Sequence, residues 1–210
     1  MNLAEYTLFA FSSLFVIIDP IATVPVFLAM TADDSVAKRL RMARMACLVA
    51  AGVLLVFAFL GRWIFLLLGI TMPAFQMAAS IVLLLVALDM LRAQRSRVKE
   101  TSEETAAAVA QEDIAIAPLA IPLLAGPGAI STAILLHNKA DSVGKLAALA
   151  LVIGAVCTVA FVIFAIGARG ARWLGPIAMK LIERVMGLLL AAIAFQFLLN
   201  ALKELKLVSF

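Results

Sequence analysis

Six apolar runs, at 6–30, 45–68, 71–91, 114–136, 146–168 and 179–202, constrain this chain more than any other feature of it. A helix needs about 20 apolar residues to cross the hydrocarbon layer of a bilayer. No water reaches that layer, so each backbone N–H and C=O must be bonded within its own segment, and the runs become helices. Strands of a membrane barrel would be about 10 residues long and would alternate in polarity. None of the six runs alternates. The composition agrees: 65% of the 210 residues are hydrophobic and 14% charged, where soluble domains carry about 45–50% and about 25%. The expected class is an all-α membrane protein of six transmembrane helices. Its first partner is the lipid bilayer, and nucleic acid is not among its partners.

The net charge of +4 then reports topology. Lys38, Arg39, Arg41 and Arg44 follow the first run. Arg92, Arg95, Arg97 and Lys99 follow the third, and Arg169, Arg172, Lys180 and Arg184 the fifth. The opposite side holds only Arg62, Lys139, Lys145, Lys203 and Lys206. Positive residues favour the cytoplasm, so both termini are expected outside. The first run has no basic residue ahead of it, which predicts a retained span and not a cleaved signal. Cys47 and Cys157 both lie inside apolar runs, which argues against a disulfide framework.

Three runs fall on each side of one polar stretch. Residues 1–91 are read as a first three-helix unit, 92–113 as a cytoplasmic linker turning acidic at Glu100, Glu103 and Glu104, and 114–210 as a second unit. The units align without gaps at an offset of 107 residues. Pro20 falls on Pro127, Arg62 on Arg169, Phe57 on Phe164, Ser80 on Gly187 and Asp89 on Gln196. An odd number of spans per unit makes the second enter the membrane upside-down. That is the inverted-topology repeat of many secondary transporters, whose sites sit near the bilayer midplane.

Five of the seven prolines lie in the first span of each unit: Pro20 and Pro25, then Pro118, Pro122 and Pro127. Interior proline removes a helical hydrogen bond and clashes with the preceding turn, so spans one and four should be broken. Broken backbone is tolerated at that depth only against protein or a watery cavity, and matching breaks in two halves point to a binding site. Asp19, beside Pro20, is the acidic residue set far inside a span. A carboxylate there is either a ligand for substrate or coupling ion (Na+ or H+) or a cap on the broken helix. The matching position is Gly126, in Gly126-Pro127-Gly128-Ala129, which offers bare amides of the kind that attract anions. A carboxylate facing bare amides suits a small zwitterion.

Thr23, Ser131 and Thr132 follow the breaks; their hydroxyls either line the site or bond back to their own helix. Gln196 and Asn200 share a face of the last span, as interhelical glue or as ligands. Asp89 is expected to pair near Arg92, His137 to lie at an interface, and Trp63 and Trp173 to act as aromatic anchors. One histidine and no paired cysteines leave no metal-ligand spacing, and Ser131 is too far along its span from His137 for a nucleophile–base pair. No nucleotide-binding motif is present. No enzyme and no cofactor is expected. Small-residue faces such as that of Gly52 permit a homo-oligomer without requiring one.

Asp19-Pro-Ile-Ala-Thr-Val-Pro-Val-Phe27 and Ala117-Pro-Leu-Ala-Ile-Pro-Leu-Leu-Ala-Gly-Pro-Gly-Ala-Ile-Ser131 resemble the paired signatures of the MarC family of bacterial and archaeal inner-membrane proteins. Arg184-Val-Met-Gly-Leu-Leu-Leu-Ala-Ala-Ile-Ala-Phe-Gln196 is similar to its third signature. The resemblance implies six spans, an inner-membrane location and movement of small neutral amino acids such as glycine and alanine. Sodium or proton coupling is implied for some members only. It implies a site at Asp19, Pro20, Thr23 and Pro25 in one break and Gly126, Pro127, Gly128 and Ser131 in the other; Thr132 and Gln196 join the candidate substrate-binding residues on their positions in the spans alone. The family pattern has glycine where this chain has Ala22, whose methyl narrows the first break. The competing functions are a channel, an exporter of another small metabolite, and a membrane scaffold that transports nothing.

Overall fold

The computed structural model describes residues 2–32, 34–92, 115–170 and 176–205, and every regular element among them is a helix. α1 (Leu3–Ile18) starts from a reciprocal cap: the Asn2 side chain accepts from the Glu5 amide at 2.8 Å, and the Glu5 carboxylate accepts from the Asn2 amide at 2.9 Å. α2 (Pro20–Met30) follows after one residue, with Pro20 in its first turn, where a missing N–H costs nothing. α3 (Val36–Leu68) is capped by Ser35 and stops at Gly69, whose φ of 63° is left-handed. The Gly69 and Ile70 amides close the last turn onto Leu66 and Phe65. α4 (Met72–Arg92) is the last helix before the polar stretch.

α5 (Ala115–Leu124) is wound more widely than an α-helix, and the Ala125 amide bonds the Ala120 carbonyl, five residues back, at 2.8 Å. Pro118 and Pro122 lack the donors a regular helix would use there. α6 (Pro127–Lys139), α7 (Val143–Gly170) and α8 (Pro176–Glu204) follow. Leu3–Met30, Val36–Leu68, Met72–Arg92, Val143–Gly170 and Lys180–Glu204 are long and apolar enough to cross a membrane. The run expected as a fourth span, 114–136, falls on α5 and α6, 10 and 13 residues long, each too short to cross alone. One boundary differs clearly from expectation. α3 begins at Val36 and not near 45, because Ser35 caps it, so Lys38, Arg39, Arg41 and Arg44 stand on its first turns and not in a loop. The linker expected at 92–113 lies, beyond Arg92, outside the described residues, as does Trp173.

The offset of 107 reappears in the element starts: Pro20 and Pro127 open α2 and α6, and Val36 and Val143 open α3 and α7. The packing repeats too. α1 lies on α7 as α5 lies on α3, α2 lies on α7 and α8 as α6 lies on α3 and α4, and α3 packs on α7 as α4 packs on α8. One apolar core joins α1, α2, α3, α5, α6 and α7, with Phe27 of α2 stacked on Phe164 of α7 at 5.2 Å. A second, of Val26, Ala29, Leu83, Ala87, Met90, Leu190 and Ala194, joins α2 to the α4–α8 pair. Gly187 lets that pair approach closely: a Cβ there would stand 3.0 Å from Met90 Cβ and 3.1 Å from the Ala87 carbonyl oxygen.

Candidate functional site

The first break is a single residue wide. Asp19 has φ 43° and ψ 64°, and among the described residues it is the one non-glycine with positive φ. That conformation costs an ordinary L-residue about 1–2 kcal/mol, and aspartate tolerates it by bonding locally. The Asp19 amide still donates to Phe15, ending α1, while its carboxylate Oδ1 accepts from the Ala22 amide at 3.2 Å, starting α2. Its carbonyl accepts from the Thr23 amide at 3.2 Å and the Thr23 hydroxyl at 2.9 Å. Thr23 is buried and its hydroxyl bonds back to its own helix. Asp19 and Ala22 are exposed, Pro20 is buried and Pro25 half-buried. Pro25, inside α2, removes one more backbone donor.

The second break closes differently. Gly126 is extended, with φ −76° and ψ 172°, and the N-terminus of α6 receives no side-chain cap. Glycine is required there by space and not by torsion, since a Cβ would run into the carbonyl oxygen of Pro122. The Gly126 carbonyl accepts from Ile130 at 2.9 Å. The early amides of Gly128 and Ala129 are the groups that a helix start leaves without an intrahelical partner. Gly126 and Pro127 are buried, Gly128 and Thr132 half-buried, and Ser131 exposed.

The two breaks lie side by side. A Cβ on Gly128 would stand 3.2 Å from Ile17 Cγ1, two residues before Asp19. At the far end of the same helix pair, the Tyr6 hydroxyl of α1 donates to the Leu136 carbonyl of α6 at 2.9 Å. α1 and α6 therefore run antiparallel, from Tyr6 with Leu136 to Ile17 with Gly128. Gln196 stands apart from this arrangement, exposed on α8 with its amide donating to Asn200 at 2.9 Å. His137, in the last turn of α6, sits edge-on to Phe59 at 5.3 Å. Trp63 is 71% exposed on α3, and Asp89 lies in the last turn of α4.

Sequence reasoning passed over a polar repeat. Asp34-Ser35-Val36-Ala37-Lys38 recurs at the same offset as Asp141-Ser142-Val143-Gly144-Lys145. Ser35 and Ser142 each accept from the lysine amide three residues on at 3.4 Å. Lys38 pairs with Asp34 at 2.6 Å, and Lys145 with Asp141 at 2.8 Å. The Lys145 ammonium bonded to it holds the Asp141 carboxyl below its ordinary range. The signal was available in plain identity between the two short turns.

The model of the MarC family of integral membrane proteins matches residues 4–206. UPF0056 membrane protein MJ1677 of Methanocaldococcus jannaschii is 35% identical over 199 residues, which is 95% of this chain and 97% of that protein. A UPF0056 membrane protein of Aquifex aeolicus is 35% identical over 196 residues, 93% and 92% of the two chains. UPF0056 membrane protein YhcE of Escherichia coli is 31% identical over 193 residues, 92% and 90%. No solved structure matches the chain. The chain belongs to the MarC family of multi-pass integral membrane proteins.

Proposed function

We propose that this chain is a secondary transporter of small neutral amino acids that binds its substrate between the two breaks. The observation that carries the reading is the contact of Ile17 with Gly128, which sets the α1–α2 break beside the α6 N-terminus. Asp19 spends one carboxylate oxygen on the Ala22 amide. Its other oxygen, on an exposed residue, is the acceptor for an ammonium group or a coupling cation. The Gly128 and Ala129 amides, with the helix dipole behind them, take a carboxylate. The preference for glycine- and alanine-sized substrates rests on the resemblance of the two proline-bearing segments to the family's neutral amino acid transporters. No enzymatic step and no cofactor enter this reading.

Six spans in two inverted units belong to the same proposal. The antiparallel course of α1 and α6 supports it, as do the shared element starts and the paired contacts between units. α5 and α6 together form the sixth crossing, broken where α1 and α2 are broken. Alternating access then follows from rocking one unit against the other around a site near the midplane. Both termini face outward on the charge distribution.

Counterflow in proteoliposomes tests the function. Vesicles preloaded with unlabelled glycine or alanine should accumulate the labelled form transiently, and Asp19→Asn should remove the effect. Flux that neither saturates nor exchanges would indicate a channel. Absence of both, with folded protein, would leave a scaffold. A panel of competitors identifies a different small metabolite if amino acids fail.

A further inference from the structure

The face carrying Asn2 holds polar contacts that join one unit to the other. Tyr6, fully buried in α1, donates to the Leu136 carbonyl in the last turn of α6. The Ala140 amide turns instead to His137, so Tyr6 supplies a donor that the helix end does not. The Lys145 ammonium at the start of α7, on a residue only 7% exposed, lies 6.0 Å from the Tyr6 ring centre and bonds Asp141 at 2.8 Å. Lys139 of α6 stands 5.0 Å over the Phe9 ring of α1. Both distances are within cation–π range, about 6 Å.

These ties have a defined place relative to the breaks. α1 and α6 are the half-helices that run from the breaks to this face. Tyr6 and Ile17 are eleven residues apart, about 16 Å along the axis. Any path from this face to Asp19 between these helices must part α1 from α6, which means releasing Tyr6 from Leu136. On the turn that repeats this one, Arg39 is also buried, yet it donates to the Thr31 and Ala32 carbonyls of its own unit at 2.9 Å each. The same motif therefore closes within a unit at Lys38 and stands beside a tie between units at Lys145.

We propose that Tyr6, the Leu136 carbonyl and the Lys145–Asp141 pair form a latch that closes the site toward the face carrying Asn2. Opening it admits substrate from that face. The inference rests on the transport reading but is tested apart from it. Ala22→Cys places a thiol beside Asp19, and a membrane-impermeant methanethiosulfonate is applied to each face in spheroplasts and inverted vesicles. The parent chain, whose Cys47 and Cys157 are buried, sets the background. Tyr6→Phe keeps the ring and loses one hydrogen bond, and should raise labelling from the Asn2 face about fivefold. A disulfide between Phe9→Cys and Lys139→Cys should stop that labelling, and reductant should restore it. Unchanged labelling in Tyr6→Phe, or a cross-linked protein labelled at the uncross-linked rate, overturns the latch. If the unaltered protein binds no amino acid, the transport reading fails, while labelling still decides the latch.

Discussion

The two breaks occupy equivalent places at the same offset and have opposite chemistry. At the first, Asp19 bends back and caps α2 with its own carboxylate. At the second, Gly126 has no side chain to offer, and α6 begins uncapped. One helix start is thus capped by its own side chain, and the other has no side-chain cap. The difference teaches that two breaks at the same offset, each opened by a proline, are finished by different means: a side-chain carboxylate at Asp19 and bare backbone at Gly126. In the proposed site the carboxylate is assigned the positive end of the substrate and the bare amides its negative end.

The largest expected effect comes from removing the charge at the first break while keeping its geometry. Asparagine caps as well as aspartate and tolerates left-handed φ. Asp19→Asn should leave stability nearly unchanged and weaken amino acid binding about 10- to 100-fold, the worth of a hydrogen bond to a charged group. Asp19→Ala should weaken binding as much and also lose about 0.5–2 kcal/mol of stability with the cap. Equal stability for the two variants would show that the cap contributes nothing.

At the second break, Gly126→Ala forces a methyl onto the Pro122 carbonyl oxygen. A loss of about 1–3 kcal/mol is expected from such overpacking, read as a lower melting temperature in detergent. Gly52→Ala is the contrast. Nothing lies within 4 Å of a Cβ there, so the helix should gain up to about 1 kcal/mol. If both substitutions behave alike, the second break is not sterically fixed.

Most of this architecture was legible because hydrophobic runs and proline positions are local signals. Span ends fell close to the observed helices except at α3, where the cap at Ser35 outweighs the basic residues that follow it. Asp19 and Gly126 were found because a carboxylate and a Gly-Pro-Gly stretch are costly inside apolar runs. The role of Thr23 could not be decided without coordinates, since a threonine in a helix start has two acceptors within reach. Tyr6 has no local signal that sets it apart in its apolar run. Its partner is a carbonyl 130 positions away, and no residue pattern announces a carbonyl. The Asp-Ser-Val-x-Lys repeat was hidden by counting loop charges by sign instead of comparing loops with each other.

The smallest expected effect concerns that repeat. Asp141 has its pKa lowered by Lys145, so it adds stability above the ordinary carboxylate range and loses it as pH falls through the lowered value. Melting temperature should therefore drop slightly on acidification below about pH 4. Asp141→Asn should flatten that part of the profile. An identical profile in the variant would remove the pair from the account of this face.

The claim that one substrate is held at both ends, by Asp19 and by the α6 amides, is tested most directly by competition among glycine analogues. Labelled glycine bound to the purified protein is challenged with glycine, with glycinamide, which lacks the carboxylate, and with N-acetylglycine, which lacks the ammonium. Displacement by glycine alone is the predicted result. Displacement by either analogue at comparable concentration would mean that one end of the substrate is not held, and the paired-break site would be contradicted.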